Sequence, residues 1–130
     1  MLGCLLFSCA SQKELEVELK RDWKLIEISG FEKPILVHND AGLNLAHYPF
    51  TIYLRCVSQR VSLRTLSHEN VKMKVESHQE QLCDKTVNEN LRLKFTNALN
   101  KATHYQVKGH FLTLFLNDGS ALKFVAADWD

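Results

Sequence analysis

The sequence predicts an α+β domain: an antiparallel, β-rich sheet curled into a partial (cracked) barrel, with one α-helix packed on it. Three observations predict this. Several short runs alternate apolar and polar residues, the mark of half-buried strands. One segment only, beginning near Thr86, carries apolar residues at helical spacing. The resulting order, β-β-β-β-α-β-β-β, leaves sheet edges that a curled sheet with a helix on its open side would cover.

Taken in order, Trp23-Lys-Leu-Ile-Glu-Ile28 reads as the first strand, ended by Ser29-Gly30. Residues 31–48 contain Pro34, Asn39-Asp40 and Gly42 and read as a loop with at most one short strand around Ile35–Val37. From Phe50 to Val57 the alternation is clean, with Phe50, Ile52, Leu54 and Cys56 on the expected core face. Val61 and Leu63 mark a third strand ending near Leu66, and Ser67–Asn70 a hairpin turn. Val71, Met73 and Val75 alternate with Lys72, Lys74 and Glu76, a fourth strand wet on one side. Residues 77–85 read as a polar loop holding Cys83.

Thr86-Val-Asn-Glu89 has the pattern of a capping box, in which hydroxyl and carboxylate each satisfy a free N–H at a helix start. Leu91, Phe95, Ala98, Leu99 and Ala102 then form one apolar face, and the helix is expected to end near Lys101. His104–Val107 leads through Lys108-Gly109 into Phe111–Leu116, and Asn117-Asp118-Gly119 turns into Ala121–Val125. Phe50, Phe95, Phe111, Phe115 and Phe124 sit at strand or helix spacing and read first as core.

The N-terminus has a different character. Residues 1–12 are apolar and uncharged, and the chain turns polar at Lys13. Leu6-Phe7-Ser8-Cys9 matches the bacterial lipobox, so residues 1–8 are expected to be a signal peptide and Cys9 the lipidated residue. Acyl chains there would hold the protein to a bilayer by ~0.8 kcal/mol per buried methylene. No Lys or Arg precedes the apolar run, which places the expected start codon upstream. The alternative is an apolar, disordered start on a cytosolic protein. Residues 9–20 form the expected tether and 21–130 the domain. Ala10, where an inner-membrane protein would carry Asp, points in a Gram-negative envelope to the outer membrane, with the domain facing the periplasm.

With Cys4 and Cys9 assigned to the signal, Cys56 and Cys83 remain as an even pair. In an oxidising compartment such thiols usually pair, and closing a loop of 27 residues is worth about 3 kcal/mol. Two buried free thiols or a pair of metal ligands are the alternatives, and neither Cys-x-x-Cys nor His-x-x-x-His spacing occurs to favour a metal.

Composition and motifs narrow the function. Apolar residues make up 45% of the 130, charged residues 24%, and 16 basic against 15 acidic residues leave a net charge of +1. The charges are well mixed along the chain, so nucleic acid is not an expected partner. Gly-x-Ser-x-Gly, P-loop and His-Glu-x-x-His patterns are absent from the sequence, and no Ser, His and Asp spacing favours a triad. Asp22, Asp128 and Asp130 read as solvated charges, and the six histidines, His104 and His110 among them, as surface residues. The expectation is a monomeric, non-enzymatic protein without catalytic residues, metal or cofactor.

Trp23-x-Leu25-x-x-Ile28-x-Gly30 and the run Leu99-x-x-x-x-x-Tyr105-x-Val107-x-Gly109-x-x-Leu112-x-Leu114-x-x-x-Asp118-Gly119-x-x-Leu122-x-Phe124 resemble the opening strand and the closing helix and hairpin of the META domain of HslJ-like lipoproteins. The resemblance spans roughly residues 21–126, and Cys56 and Cys83 fall where that family often carries two cysteines. Arg55-Cys-Val-Ser-Gln-Arg-Val61, with the second cysteine 27 residues on, is also similar to MxiM-type pilots, small outer-membrane lipoproteins that assist secretin assembly in type III secretion. The resemblance implies a binding or assembly module whose partner is an envelope protein, a secretin subunit in the pilot case. The partner segment would lie in an apolar groove beside the helix, with Phe95, Leu99, Phe111 and Phe115 as candidate lining. An HslJ-like role in envelope stress, and a carrier of acyl chains inside the barrel, are the alternatives.

Overall fold

The computed structural model describes residues 15–129 apart from 68 and 85. Eight antiparallel strands close into a ring in chain order: β1 (Asp22–Glu27), β2 (Ala41–Asn44), β3 (Thr51–Leu54), β4 (Val57–Ser67), β5 (Asn70–Gln81), β6 (Ala102–Lys108), β7 (Phe111–Leu116) and β8 (Ala121–Ala126). A short helix α1 (Lys33–His38) joins β1 to β2, and the main helix α2 (Glu89–Leu99) joins β5 to β6. The predicted fold class holds, and the ring goes further than the partial barrel expected, because β1 also pairs with β8 through Trp23↔Ala126, Lys24↔Val125 and Leu25↔Phe124.

The ring is uneven. β4 and β5 pair along most of their length, whereas β5 and β6 share the single pair Asn70↔His104. At that seam α2 takes over. Leu91, Phe95, Ala98 and Leu99 are buried on its inner face, Phe95 lies 6.0 Å from Phe124, and the Asn100 side chain just past the helix accepts a hydrogen bond from the Val75 N–H of β5. Trp23, Phe95 and Phe124 are completely enclosed, so the barrel interior is filled by side chains. The Trp23 indole N–H donates to the Leu19 carbonyl at 3.1 Å, which docks the short 3-10 turn Val17–Leu19 on the ring. Gln59, the one buried polar residue of β4, donates to Glu76 O and accepts from Arg92, so its burial leaves no orphaned amide.

Four local expectations are corrected. Residues 31–48 are not a loop with a strand near Ile35–Val37. Pro34 sits in the first turn of α1, where its fixed φ and missing N–H cost nothing, and the Ala-Gly-Leu-Asn run that follows is β2. Gly42 is required there, since a Cβ would lie 2.8 Å from the Trp23 carbonyl oxygen and run into the Tyr53 ring packed across it. The predicted strand from Phe50 to Val57 breaks after Leu54. Arg55 adopts φ 53° and its guanidinium donates to the His38 carbonyl, so Cys56 lies half-buried in a turn rather than on a strand's core face. The polar segment 77–85 is strand as far as Gln81, wet on both faces. Finally, α2 is capped by Asn88, whose side chain accepts from Leu91 N at 3.0 Å, in place of the Thr86–Glu89 box.

Cys56 and Cys83 form a disulfide with their Cα atoms 5.9 Å apart, tying the β3–β4 turn to the chain just beyond β5. A second tie lies nearby, where Asn88 N donates to the Asn39 side chain at 2.8 Å. The double variant Cys56→Ser/Cys83→Ser is expected to lose about 3 kcal/mol of unfolding free energy. Wild-type protein measured in strong reductant should unfold in urea with the same midpoint as that variant.

Candidate functional site

On the outer wall, α1 stands away from β1 and β8 and leaves a cleft of about 300 Å³. Its floor is apolar and buried: Leu36 of α1, Ala41, and Val125 of β8. Its walls carry three large apolar side chains that remain in water, Val37 at 68% exposure, Phe111 at 45% and Trp129 at 54%. Lys24, Lys33 and Asp40 stand at the rim. Keeping an aromatic pair in water costs free energy that covering it by a partner recovers, and clustered exposure of this kind marks interaction surfaces.

The aromatic wall is held in place. Trp129 stacks on His110 with ring centroids 4.6 Å apart and meets Phe111 edge-on at 5.6 Å. Arg21 braces the same turn, donating to Asp128 at 2.6 Å, lying 3.2 Å from His110 Nδ1 and covering the Trp23 ring. That hydrogen bond holds the Asp128 carboxyl below its ordinary value. On the other side Lys24 pairs with Asp40 at 2.7 Å and lies over the Tyr53 ring, while the Tyr53 hydroxyl donates to Asp22 at 2.7 Å. Burial, and then the Asp22 hydrogen bond, push the Tyr53 phenol far above its ordinary value. Among the described residues, Lys33 has no carboxylate partner, which leaves one unpaired cation beside the apolar wall. The arrangement can seat an apolar side chain and pair an adjacent carboxylate; a pocket with an apolar body and few polar groups is the common form of a binding site.

The four groove residues expected from sequence are not brought together. Phe95 and Leu99 are fully buried in the barrel. Phe111 and Phe115 point outward from β7, because Leu112, Leu114 and Leu116 take its inner face. Phe111 lines the cleft, whereas Phe115 lies farther along the strand, opposite His104 and Ala121. Cys9 lies outside the described residues. Val37 and Trp129 were missed, since Val37 is hidden in what reads as a loop and Trp129 follows the last alternating run; its position beside His110 depends on the β6–β7 hairpin. Asp22 and Asp128, read as solvated charges, each accept a hydrogen bond here. A second recess of about 340 Å³ lies beside α2, bordered by Lys94, Asn97, Lys101 and Asp118. Lys101 and Asp118 stand 3.7 Å apart across it, and it lacks exposed aromatics.

No protein-family model matches this chain. No curated protein sequence matches it. Among solved structures, the chain is similar to a DUF4847 family protein from Bacteroides vulgatus, with a TM-score of 0.51 over 84% of this chain and 94% of that one. Sequence identity is 11%, so the likeness is one of fold.

The Tyr53–Asp22 contact yields a pH dependence. A phenol that holds its proton more tightly when folded contributes stability that is complete below its unfolded pKa of about 10 and declines as pH rises beyond it. Stability should therefore fall above that pH, and Tyr53→Phe should remove this part of the fall while costing about 1 kcal/mol at neutral pH. Urea unfolding of both proteins across the alkaline range checks it.

Proposed function

We propose that this protein is a non-enzymatic, lipid-anchored envelope protein, a binding or assembly module that seats an apolar segment of another envelope protein in the cleft between α1 and β8. The observation that carries the reading is the exposed wall of Val37, Phe111 and Trp129 above an already buried floor. The disulfide supports a compartment outside the cytosol, where such bridges persist. The filled interior favours recognition on the outer wall over an acyl carrier. Anchoring at Cys9 would put the domain on the periplasmic face of the outer membrane. In the form suggested by the similarity to MxiM-type pilots, the segment belongs to a secretin subunit; in the HslJ-like META form, the same scaffold serves envelope stress without a dedicated secretin.

Capture from detergent-solubilised envelope, with wild-type protein and Trp129→Ala side by side, tests the reading. One partner should be retained by wild type and weakened about tenfold or more by the variant, the loss expected for an aromatic anchor. A secretin as the dominant species selects the pilot form, and another envelope protein selects the META form. Equal retention by both proteins removes the cleft from the account. An intact mass from the native host lacking the acyl additions at Cys9 removes the anchor.

A further inference from the structure

The cations that are mixed in sequence are gathered by the register of the β4–β5 hairpin. Val61, Val71, Met73 and Val75 point into the barrel, so Arg60, Ser62, Arg64 and Leu66 of β4 and Lys72 and Lys74 of β5 point out. Arg64 stands directly opposite Lys72, and Ser62 opposite Lys74. Like charges facing each other across a sheet are destabilising. Among the described residues, none of these four cations has an ion-pair partner, whereas Arg21, Lys24, Arg92, Lys101 and Lys123 all do. Of the hairpin's acids, Glu69 falls in the turn, Glu76 follows Lys74 on the same outward row, and Glu80 stands opposite Ser58, so the acids border the block on the Arg60 side and leave Arg64, Lys72 and Lys74 as its centre. Leu66, 58% exposed, ends the row.

From this we infer that the outer face of the β4–β5 hairpin, Arg60, Arg64, Lys72 and Lys74 with Leu66 at its tip, is a docking face for an anionic bilayer surface. The opposing-cation pair is a cost to the isolated fold that a layer of phosphate headgroups would reverse, and Leu66 can enter the headgroup boundary as apolar residues of interfacial elements do. A bilayer fits this face better than an acidic protein, since a protein partner needs a central buried anchor for affinity and the centre of this face is charge on a two-stranded wall. The inference adds a second surface to the envelope reading and does not use the cleft.

The test uses the full-length oxidised chain carrying Cys9→Ser, so that no acyl group contributes. It should float with vesicles containing phosphatidylglycerol and stay behind with phosphatidylcholine alone, and high salt should release it. Each cation is worth roughly fivefold in binding, so Arg64→Gln/Lys72→Gln should cost more than tenfold. Lys72→Glu replaces the repulsion by an ion pair, so it should weaken flotation while keeping or raising the thermal midpoint. Equal flotation on both vesicle types, or unchanged flotation of Lys72→Glu, would overturn the inference. Retention on immobilised polyglutamate with no vesicle binding would overturn it in favour of an acidic protein.

Discussion

Closing a β-ring requires every neighbouring pair of strands to be made, and between β5 and β6 this chain makes one residue pair. The structure depends on how that gap is filled. α2 supplies what the missing ladder would: its apolar face occupies the interior, and the Asn100 side chain satisfies a β5 N–H that no strand reaches. Burying Leu91, Phe95 and Leu99 removes apolar surface from water, and the same helix returns the chain to the far side of the seam, so that β6, β7 and β8 can run back to β1. Without the helix the sheet would have two edges and an open core.

That dependence explains why the outer wall carries the candidate sites. A barrel of this size is just wide enough for side chains to fill, and here Trp23, Phe95 and Phe124 fill it. What remains open to solvent stands outside: the cleft made where α1 leaves β1, and the hairpin face where β4 and β5 extend together. The two differ in chemistry, one apolar with a few charges and the other cationic, and they lie on different strands of the ring.

Much of the fold was legible from alternation and spacing. β7, the apolar face of α2 and β5 as far as Glu76 lie where their patterns put them, because each buries one face and wets the other. The segment from Phe31 to Tyr48 was not legible, since α1 is a six-residue helix and β2 a four-residue strand, too short for periodicity to accumulate. Pro34, read as a loop residue, is also a helix-starting one. The break after Leu54 has a similar origin: Arg55 at positive φ is held by His38, seventeen residues away, and no local pattern records that. Of the candidate site, only Phe111 could be read, as an apolar residue of an alternating strand. Val37, Trp129 and the opposition of Arg64 to Lys72 depend on register and closure, which composition along the chain does not contain.

The bridge from Cys56 to Cys83 also has a consequence for the rest of the ring. The β4–β5 hairpin pairs residues close in sequence, whereas the segment between Gln81 and α2 is held by contacts distant in sequence. The bridge holds Cys83 beside the β3–β4 turn, only a few residues ahead of the Asn88 that meets Asn39, so two ties hold the approach to α2. Since the last three strands close the circuit beyond that helix, the two sulfurs bear on the ring as a whole: once joined, they leave the unfolded chain fewer ways to part the start of α2 from the β3–β4 turn.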